Sequence, residues 1–200
     1  MDLFQRLLAL SRKDSGMGRL LRQGLRSASQ FSIPAGPLHR LLLAERSLRR
    51  QAVDELWRAL YYQPLFELLC DRVERPFRME TCPDSKLPVV AGCRLQIGRG
   101  VRLSGRTTFS GARNAPELPV IALGEETYVG HRVVFRAGRD IRLGRNCFVA
   151  SYVTFSGDPG HPLDPVARRS EAAPPEDLTS ITVGDDVWIG EGALLMGPLT

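Results

Sequence analysis

The chain has 200 residues, 43% of them hydrophobic and 24% charged, with a formal net charge of +5. These values suit an ordinary soluble protein with one sizeable domain, or one domain plus an appendage. The basic surplus is local: residues 1–50 hold ten Arg and Lys against three acids, a balance of +7 that leaves −2 for the remainder.

Residues 2–13 and 17–29 read as two short amphipathic helices. Leu3, Leu7, Leu8 and Leu10 mark a face of the first, and Leu20, Leu21 and Leu25 mark the second. Ser15-Gly16 separates them, and IPAGP at 33–37 is a loop. No secretory leader is visible, and no apolar run approaches the roughly 18 residues of a membrane span. Residues 40–71 form the longest helical stretch, which Pro64 must kink or restart. The prolines Pro76, Pro83 and Pro88 mark a connector over 76–88. This arm lacks the interleaved aromatics and reader motif of a nucleic-acid binder, so no nucleic-acid partner is expected. Its charge suits peripheral contact of residues 1–50 with a membrane surface or a protein partner.

From residue 89 the chain acquires a period of six. An aliphatic residue followed by Gly or another small residue recurs at Leu123-Gly124, Val129-Gly130, Leu143-Gly144, Val149-Ala150, Val183-Gly184 and Ile189-Gly190. A weaker copy runs through Ala91-Gly92, Ile97-Gly98 and Leu103-Ser104. Six residues make one short strand and one corner, so three hexads make a triangular coil. A second inward position, four residues after each aliphatic, holds small or β-branched residues: Val101, Thr107, Thr127, Val133, Cys147, Val153, Val187 and Ala193. Coils of this kind bury one another's faces and are not stable singly.

The beat is interrupted three times. ARNAPELP at 112–119 bulges from a corner, two extra residues loosen the step from Phe135 to Leu143, and a long break spans Ser156 to Thr182. Long loops in regular solenoids are functional or tolerated insertions. The hexads run to Thr200 without a capping element, so the natural protein is expected to continue. Cys70, Cys82, Cys93 and Cys147 show neither C-x-x-C spacing nor paired His ligands, which argues against a disulfide framework or a zinc site and for a reducing, cytoplasmic compartment.

The repeat resembles the hexapeptide-repeat, left-handed parallel β-helix family. GHPLDPVAR (Gly160–Arg168) in the long break, followed by ITVGDDVWIG (Ile181–Gly190), resembles the sugar and polysaccharide O-acetyltransferases of that family. WRALYYQPLFELLC (Trp57–Cys70) is similar to the lead-in of the polysaccharide enzymes. The resemblance implies a left-handed β-helix preceded by helices. The boundaries are 1–75 for the helical region, 76–88 for the connector and 89–200 for the acyltransferase domain, with its catalytic loop at 156–182. It implies acetyl-CoA as co-substrate, a sugar or bacterial glycan as acceptor, no metal, and active sites between the subunits of a homotrimer.

On that resemblance His161 is the catalytic base. The chemistry is intelligible alone: acyl transfer from a thioester to a hydroxyl needs a base, and imidazole titrates near neutrality. Asp158 and Asp164 fit two roles, orienting the imidazole or closing turns beside proline, and the second is favoured; Asp158 is also a candidate substrate-binding residue. Arg168 matches a loop arginine of the family and fits acceptor binding or a solvated surface. Trp188 and Gly190 are placed near the coenzyme channel by resemblance, with subunit packing as the other role of Trp188. His131 fits an acceptor pocket or, the favoured reading, a structural role. Where sugar acetyltransferases carry Asn and Asp before the catalytic loop, this chain has His131, Arg132, Arg136 and Arg139, which puts the acceptor's identity in doubt and allows an anionic glycan. Two other classes fit the sequence less well. A non-catalytic β-helix scaffold that binds a membrane surface or a protein partner through its basic N-terminal helices leaves GHPLDPVAR unexplained. A zinc enzyme needs three histidines across the coils, and His39 lies outside the prism.

Overall fold

The computed structural model describes residues 16–80, 87–162 and 164–200. The helix expected at 2–13 lies outside them. The chain divides between Arg49 and Arg50 into two compact units.

In the first unit a helix runs over Gly16–Gln30. A second helix, Pro37–Trp57, begins there and continues into the next unit. Proline at its first position needs no hydrogen-bond partner for an N–H it lacks. The Gly36 N–H donates to His39 Nδ1 at 3.1 Å, which closes the helix start and accounts for that histidine. No side chain of Pro37–Trp57 is buried.

In the second unit the helix passes through a π turn at Arg58–Tyr62 and resumes as Gln63–Glu67. Pro64 is the cause. It cannot donate back along the helix, and the Gln63 N–H reaches one residue further than usual, to the Arg58 carbonyl. The restarted turn caps the first coil. Phe66 is fully buried with Phe77 at its side, their ring centroids 6.1 Å apart. Gln63 Nε2 donates to the Phe77 carbonyl at 3.1 Å.

The remainder is a left-handed parallel β-helix of five coils. Its strands are β1 (Arg72–Val73), β2 (Arg78–Glu80), β3 (Val89–Ala91), β4 (Arg94–Ile97), β5 (Arg102–Ser104), β6 (Thr108–Gly111), β7 (Val120–Leu123), β8 (Tyr128–Val129), β9 (Val134–Ala137), β10 (Ile141–Leu143), β11 (Phe148–Val149), β12 (Thr154–Ser156), β13 (Ile181–Val183), β14 (Trp188–Ile189) and β15 (Leu194–Met196). They form three parallel sheets, ordered β1-β4-β7-β10-β13, β2-β5-β8-β11-β14 and β3-β6-β9-β12-β15. Each hexad aliphatic stacks on its counterpart one coil away: Leu143 pairs in register with Leu123 and Val183, and Val149 with Val129 and Ile189. The inward small positions Val101, Thr107, Thr127, Val133, Cys147 and Val153 are buried. In the third sheet Phe109, Phe135 and Phe155 stack face to face inside the prism, with centroids 5.0 and 4.6 Å apart.

Two sequence expectations need correction. The β-helix begins before Val89, because β1 pairs with Gln96–Ile97 and β2 with Arg102–Ser104. Residues 72–80 are therefore coil, although 76–88 reads as a connector. Phe77 and Met79 fill the inward sites there, so the aliphatic–glycine signature is missing. Ala91 is exposed, and Val90, in register with Phe109, is the residue of that strand packed on the core.

Candidate functional site

The long loop leaves the prism at the corner after β12 and returns at β13. Its two ends are tied together: the Thr179 N–H and Thr179 Oγ both donate to the Gly157 carbonyl, at 2.9 and 3.2 Å. The knot is fastened to the neighbouring coil. The Gly157 N–H donates to the Arg136 carbonyl at 2.8 Å and the Arg139 N–H to the Thr179 carbonyl at 3.0 Å. The loop thus springs from a fixed base.

His161 stands four residues beyond that knot, and its side chain is exposed. Its Nδ1 lies 3.2 Å from the Pro162 carbonyl oxygen. A carbonyl can only accept, so Nδ1 carries the proton in this contact. The neutral ring then offers its lone pair at Nε2, the form that a general base requires. Asp158 does not orient the ring. Its Oδ1 accepts from the Gly160 N–H at 2.8 Å and closes the turn that presents His161. Asp164 does the same for the next turn, accepting from the N–H groups of Val166 and Ala167 at 2.9 and 2.8 Å. Arg168 sits in the short 3₁₀ turn Ala167–Arg169, exposed, its backbone N–H bonded to the Asp164 carbonyl.

The remaining candidates occupy other parts of the prism. His131 turns the corner between β8 and β9. There it is half-buried, with Nδ1 3.1 Å from Ser104 Oγ and its backbone N–H donating to Ser151 Oγ at 3.2 Å. Gly190 is at the equivalent corner of the last coil. Trp188 projects outward from the second sheet, 76% exposed, in register with Phe148, whose ring stacks on Tyr128 at 4.8 Å. Within one chain, then, the fold gathers His161, Asp158 and Arg168 on one loop. It sets His131, Trp188 and Gly190 apart from them, one sheet away. Arg132, at the His131 corner, is likewise separated from Arg139, which turns the corner after β9. The arginine-rich span therefore does not form one cluster. Among the described residues no group of three or more His, Cys, Asp or Glu is placed to hold a metal ion.

One feature escaped the sequence reading. The 112–119 bulge leaves from the same corner as the long loop, two coils earlier. Ala112, with Ala115, packs in one small apolar cluster with Ala173 and Leu178 of that loop. The two excursions enclose a cleft of about 480 Å³ whose walls include Arg113, Asn114, Asp158 and Gly160. The interruption of the hexads was the available signal; that two interruptions share a corner requires the register.

No family model matches the chain. It is similar to the "Putative acetyltransferase YJL218W" of Saccharomyces cerevisiae, 36% identical over 76 residues, which cover 38% of this chain and 37% of that protein. It is also similar to the "Putative acetyltransferase DDB_G0275913" of Dictyostelium discoideum, 34% identical over 76 residues, covering 38% of each. The match thus spans well under half the length of these curated relatives. Among solved structures, that of the polySia specific acetyltransferase NeuO aligns with 62% of this chain and 69% of its own, at 16% identity and a TM-score of 0.25.

Proposed function

We propose that the protein is an acetyl-CoA-dependent O-acetyltransferase of the hexapeptide-repeat type that acetylates a hydroxyl of a sugar or bacterial glycan. The observation that carries this reading is His161, held on a clamped loop of a left-handed β-helix with Nδ1 against a carbonyl and Nε2 open. Similarity to proteins named as acetyltransferases supports the reaction type.

In the reaction His161 Nε2 takes the proton of the acceptor hydroxyl. The oxygen attacks the acetyl carbonyl carbon of acetyl-CoA, forming the C–O bond. The tetrahedral oxyanion collapses with cleavage of the C–S bond, and the proton passes from His161 to the departing thiolate. The step needs no oxidant and no metal, because the thiolate is a good leaving group. Backbone N–H groups at a coil corner are suited to hold the oxyanion. Active sites lie between the subunits of a homotrimer, where His131, Trp188 and Gly190 of one copy face the loop of another; Arg168 serves the acceptor.

Release of free thiol from acetyl-CoA in the presence of a sugar panel tests the proposal. Turnover is expected, and His161→Ala should lose about 10²- to 10⁴-fold in rate while keeping its fold by circular dichroism. Full turnover in the variant would remove His161 from the mechanism.

A second role has its own support. The helix Pro37–Trp57 buries nothing, and Leu38, Leu41 and Leu48 on it are each more than 60% exposed. Together with the basic charge of residues 1–50, this suits peripheral contact with an anionic membrane from the cytoplasmic side. Liposome sedimentation with and without residues 1–50 decides it; equal partitioning rejects the contact.

A further inference from the structure

We infer that the cleft between the 112–119 bulge and the long loop is the acceptor subsite, that it takes a neutral pyranoside, and that Arg113 and Asn114 determine its specificity. The inference rests on the acyl-transfer reading above and deepens it.

β6 ends at Gly111 and β12 at Ser156, so both excursions leave from one corner of the prism. Ala173, Leu178 and Ala112 are buried where the excursions meet, which makes the pair a wall with its own small core. Gly160 lines the cleft. His161 is the next residue in the chain, so the base is carried on the same turn as a lining residue of the cleft. A volume near 480 Å³ lies within the range of small-ligand sites.

The cleft's polar side chains are open to solvent and free to meet a ligand. Four arginines of the coils are paired with acids: Arg94 with Asp71, Arg99 with Glu125, Arg142 with Asp140 and Arg145 with Asp185. Among the described residues, the Arg113 guanidinium and the Asn114 amide have no hydrogen bond or ion pair, although Asn114 is half-buried. Glu171, also lining the cleft, is likewise unpaired. Asp158 commits Oδ1 to the Gly160 turn and keeps Oδ2 free.

Chemistry selects the ligand. Arg113 supplies donors only, Asp158 and Glu171 acceptors only, and Asn114 both. A pyranoside's neighbouring hydroxyls each donate and accept, so such a ring can satisfy all four groups. Ala172 offers a small apolar surface to its C–H face. The charge count is one cation against two carboxylates. A uronic acid or a phosphate brought here would face Asp158 and Glu171 at close range, and that repulsion excludes it.

The test uses the full chain, with methyl hexopyranosides and the matching methyl hexuronosides as acceptors. The wild type should acetylate the neutral glycosides in preference. Arg113→Ala and Asn114→Ala should each raise the acceptor KM roughly tenfold or more, leaving the KM for acetyl-CoA unchanged. Saturation-transfer NMR on His161→Ala protein reads binding without turnover: neutral glycosides should give a signal that Arg113→Ala/Asn114→Ala abolishes. Unaltered acceptor KM in both variants, a preference for hexuronosides, or an NMR signal that survives the double substitution overturns the inference. If no sugar is acetylated yet the glycoside signal appears and depends on Arg113 and Asn114, the cleft assignment stands and the acyl-transfer reading falls.

Discussion

Gly138 lies so close to Gly157 that a Cβ on Gly138 would overlap the Gly157 carbonyl oxygen, the atom that receives both bonds from Thr179. The corner of one coil and the root of the long loop are thus a single contact between two residues without side chains. Any substitution at Gly138 must move backbone, because the obstructing atom is backbone. Gly138→Ala is expected to loosen the knot at Gly157–Thr179. The proposed acetyl transfer should fall much further than thermal stability, and amide exchange should accelerate at Gly157 and Thr179 while the inner strands stay protected. Uniform acceleration across the coils would show that the corner serves the prism and not the loop.

The aromatic stack sets a different scale. Phe135 is sandwiched between Phe109 and Phe155, and all three are fully buried. Phe135→Ala removes a side chain that neighbours on two coils cannot replace, so a loss of about 3–5 kcal/mol is expected by denaturant titration. A loss below about 1 kcal/mol would mean that the coils collapse onto the gap.

Charge on the outer corners should matter little. Arg145 meets Asp185 on the next coil through its backbone N–H and its guanidinium, at 2.8 Å for each, and both side chains are largely exposed. Solvent screens an exposed pair of this kind, so it contributes little to stability. Asp185→Asn should therefore shift the melting temperature by no more than a few degrees, and less in high salt.

How far these features could be read in advance follows from their range. The hexad aliphatics and the small inward positions carry a local period, so Leu143, Val149 and Cys147 announce their burial from sequence. The loop announced itself as an interruption around His161, and Asp158 and Asp164 beside proline announced turns. The phenylalanine stack did not. Phe109, Phe135 and Phe155 are spaced unequally, because the insertions between coils shift their numbering without shifting their register. The same shift hid the meeting of Ala112 with Ala173. The first coil was hidden for another reason: Met79 and Glu80 stand in register with the hexad pair Leu103-Ser104, and Phe77 fills the inward site two residues earlier, so neither an aliphatic–glycine pair nor a small inward residue marks it.

Burial, not redox poise, governs the thiols that the prism encloses. Burial pushes the Cys70 thiol up to about 12, with the charges of Glu67 and Cys93 adding to the effect, and its Sγ donates to the Phe66 carbonyl at 3.3 Å. Burial raises Cys93 as well. The reactive species is the thiolate. In a Cys82→Ser background, the native protein should resist iodoacetamide at pH 8 and label readily once unfolded. Rapid labelling of Cys70 in the native state would require the capping turn Gln63–Glu67 to open often.

Glu55 joins the end of the helix Pro37–Trp57 to the first coil: Arg58 and Arg78 both donate to its carboxylate, Arg78 through two bonds at 3.0 and 2.9 Å. Hydrogen bonds from Arg58 and then Arg78 lower its pKa from an ordinary 4.5 to about 2. A carboxylate depressed on folding stabilises the native state above its unfolded pKa, and the contribution disappears as pH falls toward the folded one. The window is therefore about pH 4.5 down to 2. Glu55 is about half exposed, so solvent screens the pair and the effect stays within about 1 kcal/mol. Glu55→Gln should be less stable than wild type by a constant amount at neutral pH. The two proteins should converge as the solution is acidified through that window. A gap that persisted undiminished at the acid end would assign the contact to packing of the glutamate side chain and not to its charge.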